Sequence, residues 1–464
     1  MRKLISFLLL ISPFLSFSET VEIYGNASFF YGEKISVLTY SNILTGSTNL
    51  ITETYVSDSG GYRLSFNLKQ STEIILKIEM RELVIPVHPG NNLEIDFLPI
   101  ENAENQRVPL KISFKEKKVD TNMASFKTYQ SLEIGFAAHQ LAITKNENVF
   151  TFYNTFFDSI ENVFTMQLTN DLLFQKHFTY FKANAYLNTE KSKNALYQQY
   201  LRGLPIQYAN KEYLKFFRAL TFRFMHKTLS KNNLRVEKAS KEYLVYQAFL
   251  ALIAEDSVIN TDEERSLALL MYCMSNESNP ILTRDIKNGI INQMSNFCPY
   301  PIQKQTAQIY QSQNNNFAIG NEAPEIELLN SKGSYVKLSE FRGKVTYLGF
   351  INSKSRSCVK DLQVVNNIKR KYRKVRFVFV VCDRDSIQMK HFPEEGNAIK
   401  YLFLNKDYSV LEKYEVHNYP VYYLLDEHGY FIQSPAKNPE GTIDEFQVLF
   451  APKSTRKSYE IIKN

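Results

Sequence analysis

The stretch Gly349-Phe-Ile-Asn-Ser-Lys-Ser-Arg-Ser-Cys-Val-Lys-Asp361 decides how the C-terminal part of this chain folds. It continues an apolar run that begins at Val345, and it opens a pattern in which Leu362, Val365, Ile368 and Tyr372 recur at helical spacing. The reading is a strand from Val345 to Phe350, a short polar loop, and a helix from Cys358 to Tyr372 with those four residues facing inward. A single thiol, Cys358, stands at the helix start. The positive end of a helix dipole favours a thiolate there, and Lys354, Arg356 and Lys360 act in the same direction. An apolar setting would oppose them by raising the thiol pKa. Three positions earlier stands Ser355, whose hydroxyl is not appreciably ionised and forms no disulfide.

Outward from this stretch, strands and helices alternate from Phe317 onward, the sign of an α/β layer. A strand is expected over Val375–Val381 and a short helix over Ser409–Tyr414. A strand over Val421–Leu425 turns at Asp426-Glu-His-Gly429 into another over Tyr430–Gln433, and a closing helix covers about Thr442 to Phe450. Upstream, the polar, aperiodic run Gln311-Ser-Gln-Asn-Asn-Asn316 reads as a linker and the clearest domain boundary.

The rest of the chain divides in two. Residues 19–115 alternate as short strands, such as Val21–Gly25, Lys34–Leu38 and Tyr62–Leu68. Turn signals at Asp58-Ser-Gly-Gly61 and Pro89-Gly-Asn-Asn92 punctuate them, as in an antiparallel sandwich. Residues 120–312 read as helical. Phe152, Phe156, Ile160 and Phe164 fall on one helical face, and Tyr213–Phe224 and Glu242–Ile253 repeat the theme. Such stripes are packing surfaces. His139, His177 and His226 are isolated, and His88 sits beside a turn without a partner at metal-ligand spacing, so neither a metal nor a cofactor is expected.

The chain is therefore a multidomain α+β protein: an N-terminal β-sandwich, a central α-helical region and a C-terminal α/β domain over 317–452, with a tail at 453–464. Its 464 residues, 44% hydrophobic and 22% charged, suit several globular cores. A net charge of +7 is modest, and its densest basic run, Lys369–Lys374, falls at a helix end where cations complement the dipole. Nucleic-acid binding is not expected. Residues 1–18 read as a signal peptide: Arg2 and Lys3, an apolar Leu4–Leu15, and a small-x-small site at Ser16-Phe17-Ser18. No run is long enough for a membrane span. Export would place Cys273, Cys298, Cys358 and Cys382 in an oxidising compartment. A local pairing of Cys273 with Cys298 and of Cys358 with Cys382 competes with four buried free thiols.

Three elements of the last domain carry a resemblance. They are Gly320-x-x-Ala-Pro324 with Leu338-Ser-x-Phe-x-Gly-Lys344, the loop and helix at Cys358-Val-Lys-Asp361, and Val416-His-Asn-Tyr-Pro-Val-Tyr-Tyr-Leu-Leu-Asp-Glu-His-Gly429. Together they resemble the thioredoxin-like family of exported thiol–disulfide oxidoreductases of the TlpA and peroxiredoxin type. The segment Val56–Phe66 resembles the small sandwich that precedes such domains in envelope proteins of Bacteroidetes-type bacteria. The resemblance implies the periplasm or cell envelope of a Gram-negative bacterium. It also implies that Pro420 is cis and faces the Ser355–Cys358 turn, with the Tyr419 backbone gripping a protein or peptide partner. The departures are Ser355 in place of the attacking cysteine and Lys354 in place of the usual Trp. Thiol–disulfide exchange needs an attacking and a resolving thiol, so the favoured function is a redox-inactive peptide- or protein-binding scaffold. The alternative is an oxidoreductase working through Cys358 and paired with Cys382, which follows a strand at the same sheet edge. A peroxidase through Cys358 and a Ser355 nucleophile served by His417 are weaker alternatives. The sequence leaves the oligomeric state open.

Overall fold

A computed structural model describes residues 18–79, 81–98, 112–114, 123–141, 148–189, 192–231, 233–255, 259–275, 282–353, 355–382, 399–404, 408–416 and 418–450. The signal-peptide stretch 1–17, the tail, Lys354 and His417 lie outside the described residues. The chain forms two compact units, and the main division between them falls at Ala307 and Gln308.

The first unit begins with eight strands: β1 (Glu19–Asn26), β2 (Lys34–Asn42), β3 (Ser47–Tyr55), β4 (Gly61–Leu68), β5 (Thr72–Ile78), β6 (Arg81–Val87), β7 (Asn92–Phe97) and β8 (Ile112–Phe114). They form two four-stranded sheets, ordered β4-β1-β7-β8 and β3-β2-β5-β6. Alternation explains these strands: in β4, Tyr62, Leu64 and Phe66 are buried and their neighbours Arg63, Ser65 and Asn67 are exposed. The turn entering β4 needs glycine at Gly60, which has φ +82° and where a Cβ would lie 2.7 Å from Ser28 Cβ.

Helices follow: α1 (Met123–Leu141), α2 (Val149–Val163), α3 (Thr165–Asn170), α4 (Leu172–Tyr186), α5 (Lys193–Tyr200), α6 (Lys211–Lys231), α7 (Asn233–Ser240), α8 (Val245–Ala254), α9 (Asp262–Cys273), α10 (Arg284–Phe297) and α11 (Pro301–Asn316). Two departures from the sequence reading stand out. In α2 the deepest residues are Tyr153 and Phe157, while Phe152, Phe156 and Ile160 flank them half-buried. The expected linker at Gln311–Asn316 is the last part of α11. Its residues carry no apolar period, yet none of them breaks a helix, so a helix opened by Pro301 propagates through them.

The second unit holds β9 (Glu327–Asn330), β10 (Tyr335–Lys337), β11 (Val345–Ile351), α12 (Arg356–Ile368), β12 (Val375–Val381), β13 (Ile399–Phe403), α13 (Ser409–Lys413), β14 (Val421–Leu425), β15 (Phe431–Ala436) and α14 (Pro439–Leu449). Its seven-stranded sheet has the order β10-β9-β13-β12-β11-β14-β15. β11 lies inside the sheet, parallel to β12 and antiparallel to β14. Every residue of β11 is buried, as expected for a strand covered on both faces.

Strand periodicity sorts the core of this sheet into two layers. Leu348, Phe350, Val378, Val380, Leu402 and Tyr423 pack on one face with Val410, Leu411 and Tyr414 of the α13 region. Tyr347, Ile351, Phe377, Phe379, Val381 and Tyr422 pack on the other with Val365 of α12 and Phe446 of α14. Of the inward face read for α12, Val365 and Tyr372 are buried, and Leu362 and Ile368 pack half-buried against the same layer.

Candidate active site

The loop that leaves β11 reaches α12 through Asn352 and Ser353, and Ser355 is the N-cap residue. The Ser355 N–H donates to Asn352 O at 3.1 Å, and the Val359 N–H closes the first turn onto Ser355 O at 3.0 Å. The Ser355 side chain does not cap the helix. Its Oγ lies 2.8 Å from Ser357 Oγ instead. The helix thus begins two residues earlier than its apolar pattern, because a cap and first turn require no apolar side chain.

Cys358 is 0% exposed and belongs to the α12-facing layer. Burial pushes its thiol pKa up, and the nearby Asp361 carboxylate adds to this. Hydrogen bonding from the Asn352 backbone and the Ser355 and Ser357 hydroxyls draws it back only in part. Arg356 and Lys360 are exposed and do not reverse the shift. At neutral pH Cys358 is a protonated thiol, the unreactive form.

Cys382 stands on the other side of the sheet. Its backbone N–H donates to Ile351 O at 2.8 Å, its thiol donates to Val380 O at 3.3 Å, and it packs in the α13-facing layer. The pairing of Cys358 with Cys382 that the sequence left open does not form: neither is in a disulfide, and they pack in opposite core layers of the sheet. Reaching the same sheet edge does not bring two side chains together when the period of two sends them to opposite faces. Cys273 and Cys298 are also buried free thiols. Burial raises Cys273 to about 12, and Cys298 lies 3.7 Å from both Tyr246 Oη and Ser266 Oγ.

The Tyr419–Pro420 peptide bond is cis. Its position follows from register: Val421 pairs with Phe350, so Pro420 lies one step beyond, beside the end of β11 where the Ser355 loop departs. Tyr419 is half-buried and touches both core layers. The structure thus gathers Ser355, Cys358, Tyr419 and Pro420 around one end of the sheet and leaves Cys382 behind it.

One pair was not foreseen. Tyr422, buried and stacked on Tyr347 with ring centroids 5.1 Å apart, donates from its hydroxyl to Asp361 Oδ2 at 2.8 Å. Burial is the largest influence on Asp361 and raises its pKa, against the hydrogen bond from Tyr422 and the charge of Lys360. An acidic residue three positions after Cys358, on the inward side of α12, was the available signal. Among the described residues, no group of three or more His, Cys, Asp or Glu side chains could hold a metal ion, and no helix is long and apolar enough to cross a membrane.

A central parallel strand, a loop into a helix that carries a buried cysteine, and a cis-proline beside that loop define a thioredoxin-like domain. More narrowly, residues 318–446 match the family model described as Redoxin, so the C-terminal domain is a redoxin domain. The chain is 27% identical over 128 residues to the thiol–disulfide oxidoreductase ResA of Bacillus cereus, covering 27% of this chain and 74% of that one. Among solved structures, the thioredoxin domain of a thiol–disulfide oxidoreductase from Bacteroides vulgatus is 24% identical. It covers 28% of this chain and 97% of its own, with a TM-score of 0.26. A thioredoxin-like protein from Bacteroides caccae covers 55% of this chain and 92% of its own, at 12% identity and a TM-score of 0.36.

Proposed function

We propose that the protein is an exported binding or scaffold protein whose redoxin domain keeps a peptide groove at Tyr419 and Pro420 without thiol–disulfide turnover. The observation that carries this reading is Cys358: fully buried, held as a thiol, and with no second thiol on its side of the sheet. A two-electron dithiol cycle needs an exposed attacking thiolate and a resolving partner, and Ser355 supplies neither. The cis-proline supports the groove, since the Tyr419 backbone lies next to the Ser355 loop. Ser355 and Tyr419 would then contact the partner's main chain. The two N-terminal sheets, read as a sandwich over residues 19–115, and the helices of 120–312 would add interaction surface. The signal-like residues 1–18 support the periplasm or cell envelope of a Gram-negative bacterium as its location.

A second reading is kept because the chain is similar to a named thiol–disulfide oxidoreductase and because the Ser355 and Ser357 hydroxyls lower the Cys358 pKa. In it, Cys358 acts alone as the redox group. Insulin reduction and thiol trapping on the purified protein separate the two. The scaffold reading expects no reductase activity and slow alkylation of Cys358 until the fold is opened with denaturant. Reductase activity that disappears in Cys358→Ala would sink it.

A further inference from the structure

The first unit contains a cleft of about 1090 Å³ that the redoxin chemistry does not use. It lies where the end of β2 and the β4–β5 turn meet the start of α4 and the start of α6. Its size is slightly above the range of roughly 300–1,000 Å³ usual for ligand sites.

One wall includes His177, which is 9% exposed and whose Nε2 has no hydrogen-bond partner. Burial, with Lys215 and Lys211 nearby, lowers its pKa to about 4, so the ring is neutral. A neutral imidazole offers one donor and one acceptor, and a buried ring nitrogen without a partner is uncommon in a finished structure. Tyr129, whose ring centroid is 4.3 Å from that of His177, holds a second buried hydroxyl without a partner.

The charges of the cleft are unequal in their commitments. Asp171 caps α4 by accepting from the Phe174 N–H at 3.0 Å, and it faces His88 Nε2 at 3.6 Å. Burial raises the Glu73 carboxyl above its ordinary range; Lys211 opposes this, while the charges of Glu212 and Glu133 add to it. Lys69 and Lys176 line the cleft with no carboxylate partner among the described residues. Ile43, Leu172 and Ile206 give it apolar wall, and Gln70 and Gln305 add amides able to pair with a peptide main chain. No arginine stands among the described lining residues, and arginine is the side chain whose fork suits phosphate best.

We propose that this cleft binds an acidic peptide segment, with carboxylates at Lys69, Lys176 and Lys211 and one polar group of the ligand reaching His177 Nε2. The site lies outside the redoxin domain and stands whether or not the scaffold reading of that domain holds.

The test is fluorescence anisotropy on the full chain with three labelled probes: a peptide alternating Glu and Leu, its Lys–Leu counterpart, and an oligogalacturonate as an acidic sugar. The Glu–Leu peptide is expected to bind, to weaken as salt is added, and to lose at least about tenfold affinity in Lys176→Glu/Lys211→Glu. Both lysines are exposed, so that variant should fold. His177→Phe, which keeps a ring of similar shape, is expected to weaken binding several-fold with the salt dependence unchanged. The proposal is overturned if the acidic peptide does not bind, if the Lys–Leu peptide binds as well, or if the charge-reversed variant binds unchanged. Binding of the oligogalacturonate in place of the peptide also overturns it.

Discussion

The hydroxyl of Tyr422 donates to Asp361 at 2.8 Å, and so joins the strand that follows the cis-proline to the helix that carries Cys358. Both residues are buried, so each depends on the other for a polar partner. Tyr422→Phe keeps the ring that stacks on Tyr347 but leaves the Asp361 carboxyl without its donor. The expected loss is about 1–3 kcal/mol, the usual cost of orphaning a buried group. Urea unfolding of the wild type and variant measures it, and equal midpoints with equal slopes would show that the bond does not stabilise the fold.

Asp361 also predicts a pH dependence. Its folded pKa lies above its ordinary value because burial penalises the charged form. Between the unfolded and folded pKa values the native state therefore binds more protons than the unfolded one. The favourable contribution is complete below the unfolded value, near 3.9 for an aspartate, and is lost as pH rises through the raised folded value. Asp361→Asn retains an acceptor for Tyr422 and cannot ionise. Its stability relative to wild type should rise from mildly acidic to neutral pH. A difference that stays flat across that window would mean that Asp361 is not perturbed.

The proposed lack of thiol–disulfide turnover rests on one missing thiol, and restoring it is a direct check. Ser355 is the N-cap of α12, only half-buried, and one helical turn from Cys358. In Ser355→Cys the introduced thiol would sit at the positive end of the helix, where a thiolate is favoured. It is expected to form a disulfide with Cys358 under oxidising conditions, visible by non-reducing peptide mapping. Insulin reduction should then rise at least about tenfold, because attack and resolution are both available. Disulfide formation without reductase activity would instead place the block elsewhere in the groove.

Much of the second unit was legible because its central strands are covered on both faces. Mostly apolar runs, the first broken only by Arg376, gave Val375–Val381 and Val421–Leu425 to the residue. The same logic fails for exposed helix, and so Gln311–Asn316 read as a linker although α11 runs through it. The side of the sheet that each cysteine occupies was not legible. Strand parity sets Val381 and Cys382 on opposite faces, but which face α12 covers depends on tertiary packing. The partnership of Asp361 with Tyr422 joins residues far apart in sequence, and only its first half, an acidic residue on an inward helical position, was visible beforehand.

Gly349 concerns the close packing behind the site. It pairs with Tyr422 on one side and Phe379 on the other, in the middle of β11. A Cβ built there would lie 2.8 and 2.9 Å from Phe379 ring atoms and 2.9 Å from a Tyr422 ring atom, inside normal contact distance. The glycine is thus required by its neighbours' rings, not by its backbone angles. Gly349→Ala is expected to destabilise the domain by about 1–3 kcal/mol, as overpacking of a filled core does. Replacing one of the crowding rings should relieve part of that cost, so Gly349→Ala/Phe379→Leu should lose less than the sum of the two single variants. A double-mutant cycle from urea midpoints reads this coupling. Additive losses would mean that the strain is carried by Tyr422 alone, and a single variant as stable as wild type would mean that the rings move aside at no cost.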